Sequence, residues 1–386
     1  MDGDRLNDIA VMAFSGGMDS TSLLLRLLRN GKTVYTIGFN YGQKHLIELS
    51  RAQMNIEYLA KQGYDVTHSV VDLSSIMSTF SGSLTSGDKI PQGHYEESQM
   101  KSTVVPNRNA IFASILYGYA LSLSNKLNSK VSISLGVHSG DHAIYPDCRP
   151  EFYQQLNDAF EVGNWDSEMV RLDLPYIDGD KISILQDAII SCEKLGLEFN
   201  QVFANTNTSY EPDEDGRSSG KTGSDIERIL AFDAIGRKDP VTYQEDWESV
   251  LTHAKSIEAE YMDKVYREKL TDMQYQVTRN GATERAFTGL YDKHFIKGNY
   301  YCVCCNHLLF TSVGKYNSGC GWPAFHTEHK AAQILRVADY THGMVRVEVK
   351  CSKCDAHLGH VFEDGPREHG GERYCINSAA LIFKEE

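Results

Sequence analysis

The spacing of apolar positions changes character along this chain. Ile9 to Phe14 is an unbroken apolar run of strand length, β-branched at Ile9 and Val11, and predicts a buried strand. From Asp19 to Arg29 leucines recur at helical spacing, and Gly31 stands where a helix would close. KTVYTIGF, Lys32 to Phe39, predicts a second strand. Strand, loop, helix, strand is the unit of an α/β doubly wound parallel sheet. Much later, Leu251, Ala254, Ile257, Tyr261 and Val265 recur every three or four residues in a charged stretch, which predicts an amphipathic helix. Beyond it the strands are short and rich in Val and aromatics, as in GMVRVEV and AALIF, and predict a small mainly β fold. The expected organisation is a first domain over 1–250, a linker over 251–265 and a second domain over 266–386, with the boundary near residue 255.

Composition sharpens this division. At 386 residues with 41% apolar content the chain is long enough for two cores. Its net charge of −14 is uneven: residues 262–386 carry +1 and the remainder −15. An acidic first domain argues against nucleic acid as a partner, since phosphates need Lys and Arg. Only Cys148 and Cys192 of the nine cysteines precede residue 300. No basic start followed by a long apolar run opens the sequence, so neither a signal peptide nor a membrane span is expected, and a cytoplasmic setting follows. Cysteines there are metal ligands or redox groups rather than a disulfide framework.

Between the first strand and helix lies SGGMDS, Ser15 to Ser20. Two glycines admit an anion close to the backbone, and the helix N-terminus points its amides at it. Ser15 and Ser20 add hydroxyls. Asp19 suits a Mg²⁺ beside phosphates. No Lys follows the second glycine, so this is not the P-loop of kinases and GTPases. The plain alternative is a glycine turn with a capping Asp.

SGGMDS after a strand resembles the PP-loop ATP pyrophosphatase superfamily. FNYGQKHLIE (Phe39 to Glu48), VPNRNAIF (Val105 to Phe112), LGVHSGD and YPDCRPEFYQQLN (Tyr145 to Asn157) narrow the resemblance, over residues 8–243, to the 7-cyano-7-deazaguanine synthase family. The resemblance implies conversion of 7-carboxy-7-deazaguanine to a nitrile with ammonia and ATP; the alternatives are activation of the acid for amide transfer to another amine, and a non-catalytic nucleotide-binding module. It implies that Phe14, Ser15, Gly16, Gly17, Met18, Asp19, Ser20, Thr21, Ser22, Leu23 and Leu24 bind ATP. Arg108 and Lys181 become phosphate clamps, with a structural ion pair as the alternative for Arg108. Tyr145 to Arg149 become part of the base pocket, and His45 a structural histidine. A homodimer is among the assemblies this reading allows.

That family closes the domain with a four-cysteine zinc site. The corresponding positions here are Ser209, Ser219, Thr222 and Asp225, flanked by Tyr210, Gly220, Glu227, Arg228 and GRKDPVTY. Hydroxyls are poor zinc ligands. The loop is therefore expected to be zinc-free and held by hydrogen bonds, including a helix N-cap before IERILAF.

In the second domain, CVCC and CSKC give two C-x-x-C pairs, expected to place Cys302, Cys305, Cys351 and Cys354 around one Zn²⁺, with Cys304 a bystander. Exposed redox dithiols are the alternative. NSGCGWPAF, VTRNGATERAFTG (Val277 to Gly289), DAHLGHVFEDGP (Asp355 to Pro366) and RYCINS (Arg373 to Ser378) resemble the type B methionine sulfoxide reductases over about residues 266–384. The resemblance implies that Cys375 attacks the sulfoxide sulfur of methionine-R-sulfoxide and becomes a sulfenic acid. Arg373 would favour its thiolate, and His357 and His360 would protonate the oxygen. Cys320 would then form a disulfide that a thioredoxin-like dithiol reduces. Trp322 would wall the methyl group and Asn377 would orient the site.

Overall fold

The computed structural model describes residues 9–43, 47–80, 92–94, 98–138, 140, 145–209 and 211–386. Two compact units, Met1–Ala259 and Glu260–Glu386, divide the chain.

The first unit runs β1 (Ile9–Ala13), α1 (Met18–Arg29), β2 (Thr33–Asn40), α2 (Ile47–Lys61), β3 (Thr67–Asp72), α3 (Ser74–Met77), α4 (Arg108–Leu127), β4 (Val131–Ser134), α5 (Pro150–Gly163), β5 (Val170–Asp173), α6 (Lys181–Leu195), α7 (Phe199–Ala204) and α8 (Gly223–Ala234). Its strands pair in the order β3-β2-β1-β4-β5, all parallel. Alternation along β1 decides the layers. Ala10 and Met12 join the core with leucines of α1 and with Ile184 and Leu185 of α6, while Val11 joins the core with Leu116 and Ala120 of α4. Helices therefore cover both faces, as the continuous apolar run of β1 demands. Helix α1 ends as expected: Gly31 N–H donates to Leu28 O and Lys32 N–H to Leu27 O. The strand order reverses at β1 and β4, and the crevice at the carboxyl ends of those strands is where such sheets bind ligands.

Helix α9 (Trp247–Lys269) comes next. Residues 251–265, expected as a linker, lie wholly within this continuous helix. Its charged residues are the solvated side of an element whose Ala254 is fully buried.

The second unit adds α10 (Asp272–Asn280), β6 (Gly298–Cys302), β7 (Leu308–Thr311), β8 (Lys315–Tyr316), β9 (Ala324–Phe325), β10 (Leu335–Asp339), β11 (Arg346–Lys350), β12 (His357–Phe362), β13 (Arg373–Ile376) and β14 (Leu381–Glu385). One antiparallel sheet has the order β10-β11-β12-β13-β9-β8 and a second the order β14-β6-β7. Tyr300, Phe310, Phe325 and Tyr374 bring both sheets into one core; Phe310 and Phe325 stack with centroids 4.4 Å apart. No helix among the described residues is long and apolar enough to cross a membrane.

Candidate active sites

In the first unit a cavity of about 260 Å³ opens at the carboxyl ends of β1 and β4. Phe14, Ser15, Gly17, Met18, Asp19 and Ser20 line it; Gly16, Thr21, Ser22, Leu23 and Leu24 are not part of its lining. The last two are fully buried in the core, and Ser22 Oγ donates to Met18 O within the helix. Thr21, Ser22, Leu23 and Leu24 are all buried residues of α1. Gly16 belongs to the loop's geometry instead: its φ is +79°, and a Cβ there would stand 2.6 Å from Glu48 O.

Lys181, at the start of α6, reaches the same cavity. Its Nζ lies 2.9 Å from Asp19 Oδ2, 3.2 Å from His138 Nε2 and 3.3 Å from Glu227 Oε2. Burial opposes the charged form of Asp19, but Lys181 and His138 outweigh it and hold the carboxyl well below the usual range. Asp19 Oδ1 is buried with no hydrogen-bond partner, an unsatisfied hard oxygen of the kind a divalent cation takes.

Arg108, which opens α4, also lines the cavity, its guanidinium 5.8 Å from each of the Tyr41 and Tyr145 ring centroids. Its Nε donates to Asn109 Oδ1 at 3.3 Å. Phe39 and Phe112 stack at 4.1 Å beside it. Tyr145 and Cys148, from the expected base-pocket segment, line the cavity; Arg149 instead caps α5. Glu48 also lines the cavity, where enclosure pushes its carboxyl up to about 8 against the opposing pull of Arg108. His45 lies outside the described residues.

The positions aligned with the missing cysteines converge. Asp225 accepts from Ser218 Oγ at 2.6 Å, Ser209 Oγ at 3.2 Å, Ser219 Oγ at 3.3 Å and Thr222 N at 3.3 Å. Thr222 caps α8 in a capping box with Asp225. Beside this clasp, Arg228 is buried and bidentate on Asp239 at 2.6 and 2.9 Å, and Tyr243 OH donates to Asp239 at 2.7 Å. The flanking Arg228 and the Asp and Tyr of GRKDPVTY thus form one buried ionic knot; Tyr210 lies outside the described residues.

In the second unit Cys302, Cys305, Cys351 and Cys354 offer sulfurs all within 4.8 Å of one another. Cys302 and Cys354, and Cys305 and Cys351, are each 3.6 Å apart. A tetrahedral zinc at about 2.3 Å from each sulfur requires S···S separations of about 3.8 Å, so the four residues fit that metal. Both pairs are folded alike: Asn306 N donates to Cys302 O and Asp355 N to Cys351 O, with positive φ at Asn306 (58°) and Asp355 (55°). Cys304 is buried in the core.

Cys375 and Cys320 lie with sulfurs 3.7 Å apart. Sheet register builds the site: Glu348 of β11 pairs with His360 of β12, His360 with Cys375 of β13, and Cys375 with Ala324 of β9. His360 Nε2 is 2.8 Å from Asp339 Oδ2, and His357 Nδ1 is 2.6 Å from Glu348 Oε1. His357 Nε2 is buried with no hydrogen-bond partner, and burial lowers the pKa of this imidazole against the pull of Glu348. Gly359, at φ +155°, lets β12 approach β13, since a Cβ would stand 2.1 Å from Cys375 O.

Arg373 pulls toward the Cys375 thiolate, the expected direction, but burial and the Cys320 thiol outweigh it and push Cys375 up to about 12. The guanidinium is also bidentate on Asp364 at 2.8 Å twice. Asn377 is likewise occupied: its Oδ1 accepts from Glu284 N at 3.0 Å and its Nδ2 donates to Leu358 O at 3.1 Å. Trp322 Nε1 donates to Glu284 O at 3.0 Å, which fixes the indole beside the Cys320 loop.

His138, Glu48, Glu348 and Asp339 carry no role in the sequence reading. His138 sits inside LGVHSGD, where its motif was visible and its role was not. Glu348 stood in the alternation of VRVEV as an unremarkable polar position.

Residues 9–236 match the family described as queuosine biosynthesis protein QueC, and residues 270–385 match the SelR domain. The 7-cyano-7-deazaguanine synthase 1 of Colwellia psychrerythraea is 43% identical over 235 residues, covering 61% of this chain and 98% of that protein. The 7-cyano-7-deazaguanine synthase of Hahella chejuensis is 42% identical over 236 residues, 61% of this chain and 93% of that protein. Among solved structures, NMN synthetase from Francisella tularensis aligns over 65% of this chain and 86% of that chain at 12% identity and a TM-score of 0.29.

Proposed function

The chain belongs to the QueC family through residues 9–236 and carries a SelR domain over residues 270–385, and on that premise we propose a bifunctional enzyme. Its first unit converts 7-carboxy-7-deazaguanine, with ammonia and two ATP, to 7-cyano-7-deazaguanine. Its second unit reduces methionine-R-sulfoxide.

The cavity at the β1–β4 switch, lined by Asp19 and Lys181 joined at 2.9 Å and by Arg108 among aromatic rings, carries the first reading. Ser15 to Ser20 and Lys181 hold the phosphates. Tyr41, Phe39 and Phe112 offer stacking surface for flat rings. The substrate carboxylate attacks the α-phosphorus of ATP, pyrophosphate leaves, and an acyl adenylate forms. Ammonia displaces AMP to give the amide. A second ATP adenylates the amide oxygen, and loss of AMP with the remaining amide protons gives the nitrile. The chain's residues position the reactants and offset charge on the departing pyrophosphate. Asp19 would hold a Mg²⁺, which neutralises phosphate charge when bound.

The 3.7 Å sulfur contact between Cys320 and Cys375 carries the second reading. Cys375 attacks the sulfoxide sulfur, and a proton from His357 or His360 goes to its oxygen. Methionine departs and Cys375 holds a sulfenic acid. Cys320 displaces water from it to give the disulfide, which an external dithiol of the thioredoxin kind returns to two thiols. Cys302, Cys305, Cys351 and Cys354 would hold a structural Zn²⁺ that pins the two knuckles together.

Mass spectrometry of the purified chain with 7-carboxy-7-deazaguanine, Mg-ATP and ammonia tests the first reading. Nitrile with two AMP per product supports it; a reaction that stops at an amide rejects it. Reduction of the R but not the S epimer of a methionine sulfoxide peptide tests the second.

A further inference from the structure

The first unit holds a second cavity, of about 210 Å³, that shares Lys181 and Glu227 with the first. These two side chains are joined across 3.3 Å, so one ion pair stands in the wall of both spaces. The rest of the second cavity's described lining is of two kinds. Ile226 and Leu230 of α8 and Ile182 of α6 are apolar; Asp180 and the His94–Glu258 pair, Nε2 to Oε2 at 2.8 Å, are polar.

Three carboxylates, from Asp180, Glu227 and Glu258, against the one ammonium of Lys181 leave this lining net negative, a poorer place for phosphate than for a small cation. The apolar side then discriminates by charge, because a neutral molecule can lie against Ile226 and Leu230 while an ion there loses its hydration. The reaction proposed above needs a reactant with both properties. Ammonia is a cation in neutral water and must be neutral to attack. The acyl adenylate must also be kept from water, which favours a supply route separate from the one ATP uses.

We infer that the second cavity is the entry chamber for ammonia and that the Lys181–Glu227 pair is its gate into the reaction cavity; the inference rests on the synthase reading. Ammonium is drawn in by the carboxylates and gives one proton to water. The ammonia left behind passes the gate and forms the C–N bond to the acyl carbon. The C–O bond to AMP breaks with its electron pair on AMP, and a second proton leaves the nitrogen for solvent. Lys181 thereby serves both spaces, clamping phosphate on one side and closing the gate on the other.

The test is to fill the chamber in the full-length protein, with Leu230→Trp and, independently, Ile182→Trp. Two readouts are taken: kcat/KM for ammonium in nitrile formation at saturating ATP, and ATP–pyrophosphate exchange dependent on 7-carboxy-7-deazaguanine without ammonia. The expected result is a fall of roughly tenfold or more in kcat/KM for ammonium, with exchange unchanged. An unchanged kcat/KM for ammonium in both variants overturns the inference. Loss of exchange in proportion also overturns it, since the cavity would then serve adenylation. A wild-type chain with no carboxylate-dependent exchange is a different failure, that of the synthase reading itself, and it removes the chamber with it.

Discussion

Replacing Asp225 with alanine asks whether oxygen chemistry holds the loop between Thr206 and Arg228. Asp225 accepts one short hydrogen bond, from Ser218 Oγ at 2.6 Å, and three long ones at 3.2 to 3.3 Å. Taking about 1.5 kcal/mol for the short charge-assisted bond and about 0.5 kcal/mol for each long one gives about 3 kcal/mol. The substitution also strands the buried Thr222 amide, at about 1 kcal/mol or more. Relief of the carboxylate's own burial, which raises its pKa, returns part of that. The net loss is about 3 kcal/mol, or roughly 6–12 °C in Tm for a unit of this size. Thermal unfolding followed by far-UV circular dichroism, with and without a zinc chelator, reads it. A fall of less than about 2 °C would refute the clasp as a source of stability. So would a first-unit transition in the wild type that drops on chelation, since the loop would then depend on metal.

Other expectations follow from the same geometry. Cys375→Ser abolishes sulfoxide reduction, whereas Cys320→Ser completes one turnover and stops; steady recycling of Cys320→Ser with thioredoxin would assign the resolving role elsewhere. Because Cys375 is pushed up to about 12, its alkylation by iodoacetamide in the substrate-free protein keeps rising with pH above 9, and a plateau near neutrality contradicts the buried-thiol picture. Glu48 is raised from 4.5 to about 8, so its contribution to stability is fully present below 4.5 and lost as pH rises through 8. Mg-ATP affinity should weaken through the same upper limit as a new carboxylate faces the phosphates, and Glu48→Gln should flatten that profile. Removing zinc by chelation, or by Cys351→Ser, should release one ion per chain and destabilise the second unit while nitrile synthesis persists; metal analysis with both activity assays decides it.

Some of this was legible in the chain and some was not, for physical reasons. Periodicity located β1, α1 and β2 because each of their buried faces is built from consecutive residues. The C-x-x-C pairs were legible because each knuckle is local, closed by a hydrogen bond four residues long. A helix N-cap before IERILAF was legible too, and Thr222 supplies it. Asp225 as the acceptor for Ser209, sixteen residues away, was not. The ion cluster of Asp19, His138, Lys181 and Glu227 comes from four separated segments, and no spacing encodes it. The pull of Arg373 on Cys375 was legible from the RYCINS motif; its second partner, Asp364, depends on how the chain turns between β12 and β13. The helical period from Leu251 to Val265 was read correctly as helix, but its charged side hid that the helix continues to Lys269.

The row Glu348, His360, Cys375 and Ala324 also sets a clock on biosynthesis. None of these positions is near another along the chain, and Cys320 is 55 residues from Cys375. A nascent second unit therefore carries two ordinary thiols and a set of unconnected side chains until β13 docks between β12 and β9. Only then do the sulfurs meet. Reactivity appears in one step when β13 docks, so chains released before it is made carry no paired thiols at this site.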